Sequence, residues 1–388
     1  MNIEEVYKNK LCTGCGVCVA ACPNNVIKLI KDKSSGLYKP KIDEKKCKHC
    51  GLCLKVCPGW KMNVNNNLLG DYLEIYTGKS TDKNLQKNAS SGGVVTQLLV
   101  SLLENKTISG ALVTIMDKLE SQPFIARTKQ EIISAKGSKY CPVAINIALK
   151  EILNSKQEEK FAVVGLPCHI QGIRNYEGIF PELKRKIVLH LGLFCSRCPS
   201  YLATDFLLKR LKIKKEEVKN INYRKGYNML IELKDGSQKT ISYRAYWDSD
   251  FKYLIPLRCM MCYDRVNELS DVSFGDSFGD CEKDKLTLLI VRNQKSLNII
   301  KNIKDIELNK ISFLEAMKIL KKPVAFKKTN LKARLFFMKL FGIKIPSYNG
   351  ELLYPSKYAY LQSLMLFLKM GFVSFKHKRY HKNKDIGI

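Results

Sequence analysis

Between residues 12 and 57 one cysteine pattern occurs twice, as Cys12-x-x-Cys15-x-x-Cys18-x-x-x-Cys22-Pro23 and as Cys47-x-x-Cys50-x-x-Cys53-x-x-x-Cys57-Pro58. Two-residue gaps let consecutive thiolates wrap one face of an iron–sulfur cube, while the fourth Cys begins a short helix and reaches the other cube. The implied ligand sets are crossed: Cys12, Cys15, Cys18 and Cys57 for one cluster, and Cys47, Cys50, Cys53 and Cys22 for the other. Gly14, Gly16 and Gly51 suit a loop that turns its backbone N–H groups toward sulfide. A pair of zinc knuckles is the competing reading, but zinc needs four ligands and has no use for a Pro after a crossed fourth Cys.

This spacing is that of a bacterial-type ferredoxin with two [4Fe–4S] clusters, assigned to residues 1–62. Such clusters store and pass single electrons and do no bond chemistry on organic substrates, so a partner function is expected downstream. The chain has 388 residues, 45% of them hydrophobic, enough to bury a sizeable core in two or three domains. Its fifteen cysteines read as reduced thiols for metal ligation or redox chemistry. Residues 1–10 are charged and lack the apolar core of a secretory signal, and no run of about 18 apolar residues is present, so a cytoplasmic location is expected. The formal charge of +30 suits nucleic acid, an anionic membrane or an acidic partner. Lysines spread over most of the chain equally suit plain compositional bias, and the scarcity of Arg argues against nucleic acid.

Past Trp60 cysteines give way to alternating strand and helix signals. An extended stretch at 72–78 leads to Ser90-Ser91-Gly92-Gly93, after which Val94, Leu98, Leu99, Leu102 and Leu103 recur at helical spacing. A Ser-Gly-Gly turn opening a helix presents free N–H groups to an anion, although simple capping uses the same residues. Strands follow at 111–116 and 124–128, then a helix opened by the Thr128/Glu131 capping box. Further strands at 161–164 and 187–194 end near Cys168 and Cys195, with a helix expected from His169. Residues 229–233 and 239–243 read as a hairpin, and 286–291 as a strand. The alternation indicates an α/β core over 70–150 and 151–322 with its site at strand ends. Cys259-x-x-Cys262 alone is ambiguous among zinc, thiol redox and cluster ligation. With Cys168 and Cys195 it makes four thiolates, enough for a third [4Fe–4S] cluster.

These features together with Gly137-Ser-Lys-Tyr140, Gly165-Leu-Pro-Cys168-His-Ile-Gln171, Gly192-Leu-Phe-Cys195, Cys262-Tyr-Asp264 and Asp271-Val-Ser-Phe-Gly275 resemble the beta subunit of coenzyme F420 hydrogenase/dehydrogenase over residues 1 to about 300. The resemblance implies an iron–sulfur flavoprotein in which FAD exchanges a hydride with a deazaflavin carrier and passes electrons singly along clusters to a redox partner protein. It also implies Cys168, Cys195, Cys259 and Cys262 as ligands nearest the flavin. For the FAD site it implies Ser91, Gly92, Gly93, Ser138, Lys139 and Tyr140, with Gly165 and Pro167 from the Gly-Leu-Pro-Cys loop. Lys139 and Arg174 are candidates to neutralise phosphate, or are ordinary surface charge. Cys198 competes with Cys195, Cys281 falls outside the ligand set, and Cys141 reads as a buried thiol. His169 and His190 are proton-relay candidates or structural histidines. Related chains fused to the same module accompany polysaccharide assembly with a different donor or substrate, which is the alternative function.

The fold class expected is thus an α+β ferredoxin-like module, an α/β flavin-binding core, and a basic helical extension over 323–388. Residues 331–341 and 358–375 are apolar with basic insertions. They suit contact with an anionic membrane surface or a partner, or two helices packed on the core.

Overall fold

The computed structural model describes residues 2–226, 228–242, 246, 253–277 and 285–385. The ferredoxin module pairs β1 (Ile27–Asp32) with β2 (Leu37–Ile42) as an antiparallel hairpin, and a short strand, β3 (Lys61–Asn63), follows the second cysteine repeat. The two short helices after Gly16 and Gly51 each carry the third Cys of a repeat.

The core contributes β4 (Glu74–Ser80), β5 (Gly110–Asp117), β6 (Glu120–Ala126), β7 (Phe161–Gly165) and β8 (Ile187–Leu193). An insertion of β9 (Val218–Lys225), β10 (Asn228–Leu233) and β11 (Gln238–Ser242) precedes β12 (Val272–Ser277), β13 (Leu286–Val291) and β14 (Ile306–Lys310). Eight of these form one sheet in the order β14-β4-β13-β12-β8-β7-β5-β6. Strands β5, β7, β8 and β12 run parallel, and β13 lies antiparallel between β12 and β4. Strands covered on both faces read as unbroken apolar runs, which is why 161–163 and 288–291 are fully buried.

Helices α1 (Val94–Glu104), α2 (Lys129–Ser134), α3 (Pro167–Glu177) and α4 (Tyr201–Arg210) join the strands. α3 begins two residues before the expected His169, because Pro167 occupies its first position, where a fixed φ fits and no N–H is needed. The expected hairpin gains a third strand, β9, whose alternation of lysines and asparagines hides it in the sequence; Tyr243 lies outside the described residues. Beyond α5 (Gln294–Asn302), helices α6 (Phe313–Lys327), α7 (Leu331–Leu340) and α8 (Lys357–Asp385) pack back toward the ferredoxin module. The short strand β15 (Ser347–Asn349) pairs with β3 in parallel and stitches the two ends of the chain together.

Asp271, just before β12, ties the sheet to its helices. One carboxylate oxygen accepts from the His190 backbone N–H (2.7 Å) and lies 3.0 Å from His190 Nδ1, while the other accepts from Arg174 Nη2 and Asn293 Nδ2, both at 2.9 Å. Burial alone would raise its pKa, but the His190 hydrogen bond and charge and the Arg174 guanidinium outweigh that and hold it at about 2. A depressed carboxylate stabilises the fold above its unfolded value of 3.8 and loses that contribution as pH falls toward 2. Asp271→Asn is therefore expected to lower stability at neutral pH by about 2 kcal/mol. Urea unfolding across pH should show the gap between wild type and variant closing from pH 3.8 toward pH 2.

Candidate redox site

Gly16 (φ 86°) and Gly51 (φ 73°) take left-handed backbone at the head of the two cysteine helices, a conformation that costs a side-chain-bearing residue about 1 kcal/mol or more. A β-carbon on Gly16 would also come within 2.7 Å of Ile147, so the first cluster loop docks directly on the core. Charge coupling among thiols follows the crossed pattern. Cys57 lies beside Cys15 and Cys12, and Cys53 beside Cys50, Cys22 and Cys47. Burial drives the Cys12 thiol up to about 12 and raises Cys15, Cys18 and Cys57 as well. A metal that binds the thiolate offsets that cost, which fits iron–sulfur ligation; the described cysteines form no disulfide. In the second set Cys50 is exposed, so that end of the module faces solvent.

In the core, β7 ends at Gly165 and the chain turns through Leu166 into α3, placing Cys168 in its first turn. The positive end of the helix dipole favours a thiolate there. Cys195 follows β8. Its N–H donates to Arg265 O (3.0 Å) and the preceding Phe194 N–H to Phe274 O (2.7 Å). The Phe194 ring lies against Gly275, where any β-carbon would sit 1.8 Å from it, so both glycine-containing motifs serve to seat Cys195. Cys168, Cys195, Cys198, Cys259 and Cys262 all line one cavity, and Cys12 of the ferredoxin module lines it too. Burial raises Cys168, Cys195 and Cys259, with their mutual repulsion adding to it in each case. The five-thiol set therefore fits a further cluster. Cys198 Sγ is 3.3 Å from Cys141 O, a hydrogen bond that ligation would remove, whereas Cys195 has the rigid backbone seat. Cys281 lies outside the described residues.

Sequence reasoning missed the residues that hold this cavity. Asn146, fully buried, joins the two cluster regions: its N–H donates to Cys15 O (3.0 Å) and its side-chain amide to His169 O (3.0 Å). Arg258 donates to Gly59 O (2.7 Å) and Pro58 O (3.0 Å), clamping the loop after Cys57. The carbonyls of the Cys259–Cys262 turn receive donors from the C-terminal extension: Lys327 at Cys259 O (2.9 Å), Arg334 at Met260 O (2.9 Å) and Tyr348 at Met261 O (2.6 Å). No local pattern singles them out, since Lys327 and Arg334 stand among the other lysines of α6 and α7. His169 is buried and pushed down to about 4 by desolvation; its Nδ1 accepts from the Leu166 N–H (3.2 Å), so it acts as a neutral cap of α3.

The remaining candidates separate into two groups. Gly165 and Pro167 belong to the turn that carries Cys168, and Pro167 lines its cavity. Ser91, Gly92 and Gly93 lie past the end of β4, on the same sheet edge. Three strand spacings of about 4.8 Å separate β8 from β4. There Ser90 Oγ accepts from the Ser138 N–H (2.9 Å), joining the two motifs. Ser91 Oγ donates to Leu286 O (2.7 Å) and the Gly92 N–H to Thr287 Oγ1 (3.0 Å). Gly93 opens α1 in left-handed backbone with no side-chain cap, which leaves the first N–H groups of an eleven-residue helix to an anion. That end fits a phosphate. Tyr140 stacks at 6.4 Å on Tyr246. Lys139 is turned away: burial lowers it to about 8, and its ammonium donates to carbonyls of Lys136 and Gly137 at the end of α2. Arg174 is likewise engaged by Asp271 and Glu177.

The 4Fe-4S dicluster domain matches residues 11–59, and the N-terminal and C-terminal domains of the coenzyme F420 hydrogenase/dehydrogenase beta subunit match 75–150 and 158–314. The coenzyme F420 hydrogenase subunit beta of Methanosarcina barkeri is 30% identical over 53% of this chain and 71% of its own length. The chain belongs to the coenzyme F420 hydrogenase/dehydrogenase beta subunit family. The Methanothermobacter thermautotrophicus subunit is 29% identical over 72% of this chain and 99% of its length, and a coenzyme F420-dependent sulfite reductase of Methanocaldococcus jannaschii is 28% identical over 82% and 50%. A chain of the F420-reducing [NiFe] hydrogenase complex from Methanosarcina barkeri shares the fold, with a TM-score of 0.58, 24% identity, and coverage of 74% of this chain and 99% of that one. As a family member, this protein is an iron–sulfur oxidoreductase for electron transfer.

The match to the family's C-terminal domain ends at 314, and the donors from 327, 334 and 348 lie beyond it. Arg334→Met would leave Met260 O and Phe326 O buried without their cation. A loss of about 2–3 kcal/mol is expected in chemical unfolding followed by intrinsic fluorescence.

Proposed function

We propose that this chain oxidises or reduces a deazaflavin carrier of the coenzyme F420 type at a bound FAD, and exchanges the electrons with a redox partner through three [4Fe–4S] clusters. The single observation that carries the reading is the sheet edge. The N-terminus of α1, Cys195 and Cys168 stand in a row along it, and Cys12 of the ferredoxin module shares the cavity at its end. FAD, when bound, supplies the conversion between two-electron hydride chemistry and one-electron clusters.

In this reading the α1 N-terminus and the Ser90–Ser138 contact hold the cofactor's phosphates. Cys168, Cys195, Cys259 and Cys262 bind the inner cluster. Lys327 and Arg258 place fixed positive charge beside these ligands, which favours their thiolate form. Asn146 keeps the inner and first ferredoxin ligand loops in register. The exposed Cys50 marks the outlet toward the partner. Among the described residues no helix is long and apolar enough to cross a membrane.

Anaerobic purification and reconstitution test this directly. About twelve iron atoms and one FAD per chain are expected, with the flavin bleached by reduced coenzyme F420. Cys168→Ser should retain about eight iron atoms and its bound flavin, but pass electrons from flavin to the ferredoxin clusters far more slowly. A reconstituted protein without flavin, or one whose flavin is bleached by NADH and not by reduced coenzyme F420, would sink the proposal.

A further inference from the structure

The extension leaves an apolar surface uncovered. On α8, Tyr358, Leu361, Met365, Leu368 and Phe372 recur at spacings of three and four and are all exposed, with Tyr358, Leu368 and Phe372 each about two-thirds open to solvent. The opposite stripe, Ala359, Ser363 and Val373, is buried against the body of the protein. α7 lies alongside and leaves Phe336, Leu340 and Phe341 exposed. Ring contacts of Phe336 with Tyr360 (5.7 Å) and Phe341 with Phe367 (6.2 Å) fix the two rows as one helical pair. Exposed aromatic and aliphatic side chains at this density exceed the scattered apolar residues of an ordinary surface.

The charge around this surface identifies its occupant. Residues 331–384 contain eleven Lys or Arg and a single acid, Glu351. Within that set Arg334 is buried, and Lys332 sits 3.4 Å over the Tyr354 ring. A second copy of the chain would bring cations against cations, a like-charge cost at every pair. An anionic lipid surface meets both properties, taking the apolar row into the headgroup boundary while lysines lie at the phosphates. The aromatic residues suit that boundary because their rings are apolar and, for Tyr354 and Tyr358, their hydroxyls polar.

We infer that α7 and α8 form a peripheral membrane-docking face for anionic lipid. It places the family core, whose inner ligand turn is held by Lys327 and Arg334 from the same extension, at a membrane surface without spanning it.

Cosedimentation of the full chain with vesicles tests this. Vesicles of phosphatidylcholine containing phosphatidylglycerol are expected to retain the protein about tenfold or more better than phosphatidylcholine alone, with the difference lost at high salt. The triple variant Leu361→Ser, Leu368→Ser, Phe372→Ser and, separately, Lys357→Glu with Lys369→Glu should each reduce binding about tenfold or more. Both sets change exposed positions, and an unchanged iron–sulfur absorbance and unfolding midpoint checks that each variant folds. Equal retention on both vesicle types, or binding indifferent to both variants, overturns the inference. So does a dimer in sedimentation velocity that the serine variant dissociates, since the face would then belong to a second copy.

Discussion

Burying many thiolates in one place is unfavourable unless a metal holds them as ligands, and the contacts around the core cysteines are arranged about that constraint. Cys168, Cys195, Cys259 and Cys262, with Cys198 beside them, converge from three separate segments on one cavity that Cys12 also lines. Desolvation and mutual repulsion of the thiolates otherwise favour the protonated form. A metal cluster would reverse both penalties at once, because it binds the ionised form and replaces water as its partner. The cavity's place at the carboxyl edge of the parallel strands is also where an open α/β sheet gathers its loops.

Around the thiols the polypeptide is held by hydrogen bonds from unexpected distances in sequence. The Cys259–Cys262 turn depends on Lys327, Arg334 and Tyr348 for its carbonyls, and on Arg258 for its hold on the ferredoxin loop. Asn146 spans the gap between Cys15 and His169. Each of these groups is a positioning element for ligands rather than a ligand. The extension is therefore part of the redox centre's support, and its outer face, free of that duty, remains available for lipid.

Much of the core was legible because its strands are covered on both faces. The runs at 111–116, 161–164, 187–194 and 286–291 all appear in the eight-stranded sheet, since a strand covered on both faces has no polar face to confuse the pattern. β9 and β14 were not read, as their exposed positions carry Lys, Asn and Glu and they earn their place only by pairing with β10 and β4. Lys139 and Arg174 looked available for phosphate in the sequence. Burial and nearby acceptors engage both, and no local pattern announces that.

The sequence by itself determined the cluster chemistry of the first sixty residues, because ligand spacing there is local: a two-residue gap between thiols is set by backbone reach alone. It also carried the family, through motifs whose glycines permit close approach, as Gly275 does beneath Phe194. Only the tertiary structure decided which separated cysteines meet, which cations stand behind them, and which face of α8 stays uncovered. Those outcomes depend on contacts between residues tens or hundreds of positions apart, where side-chain type fixes what a contact is worth but not with whom it is made.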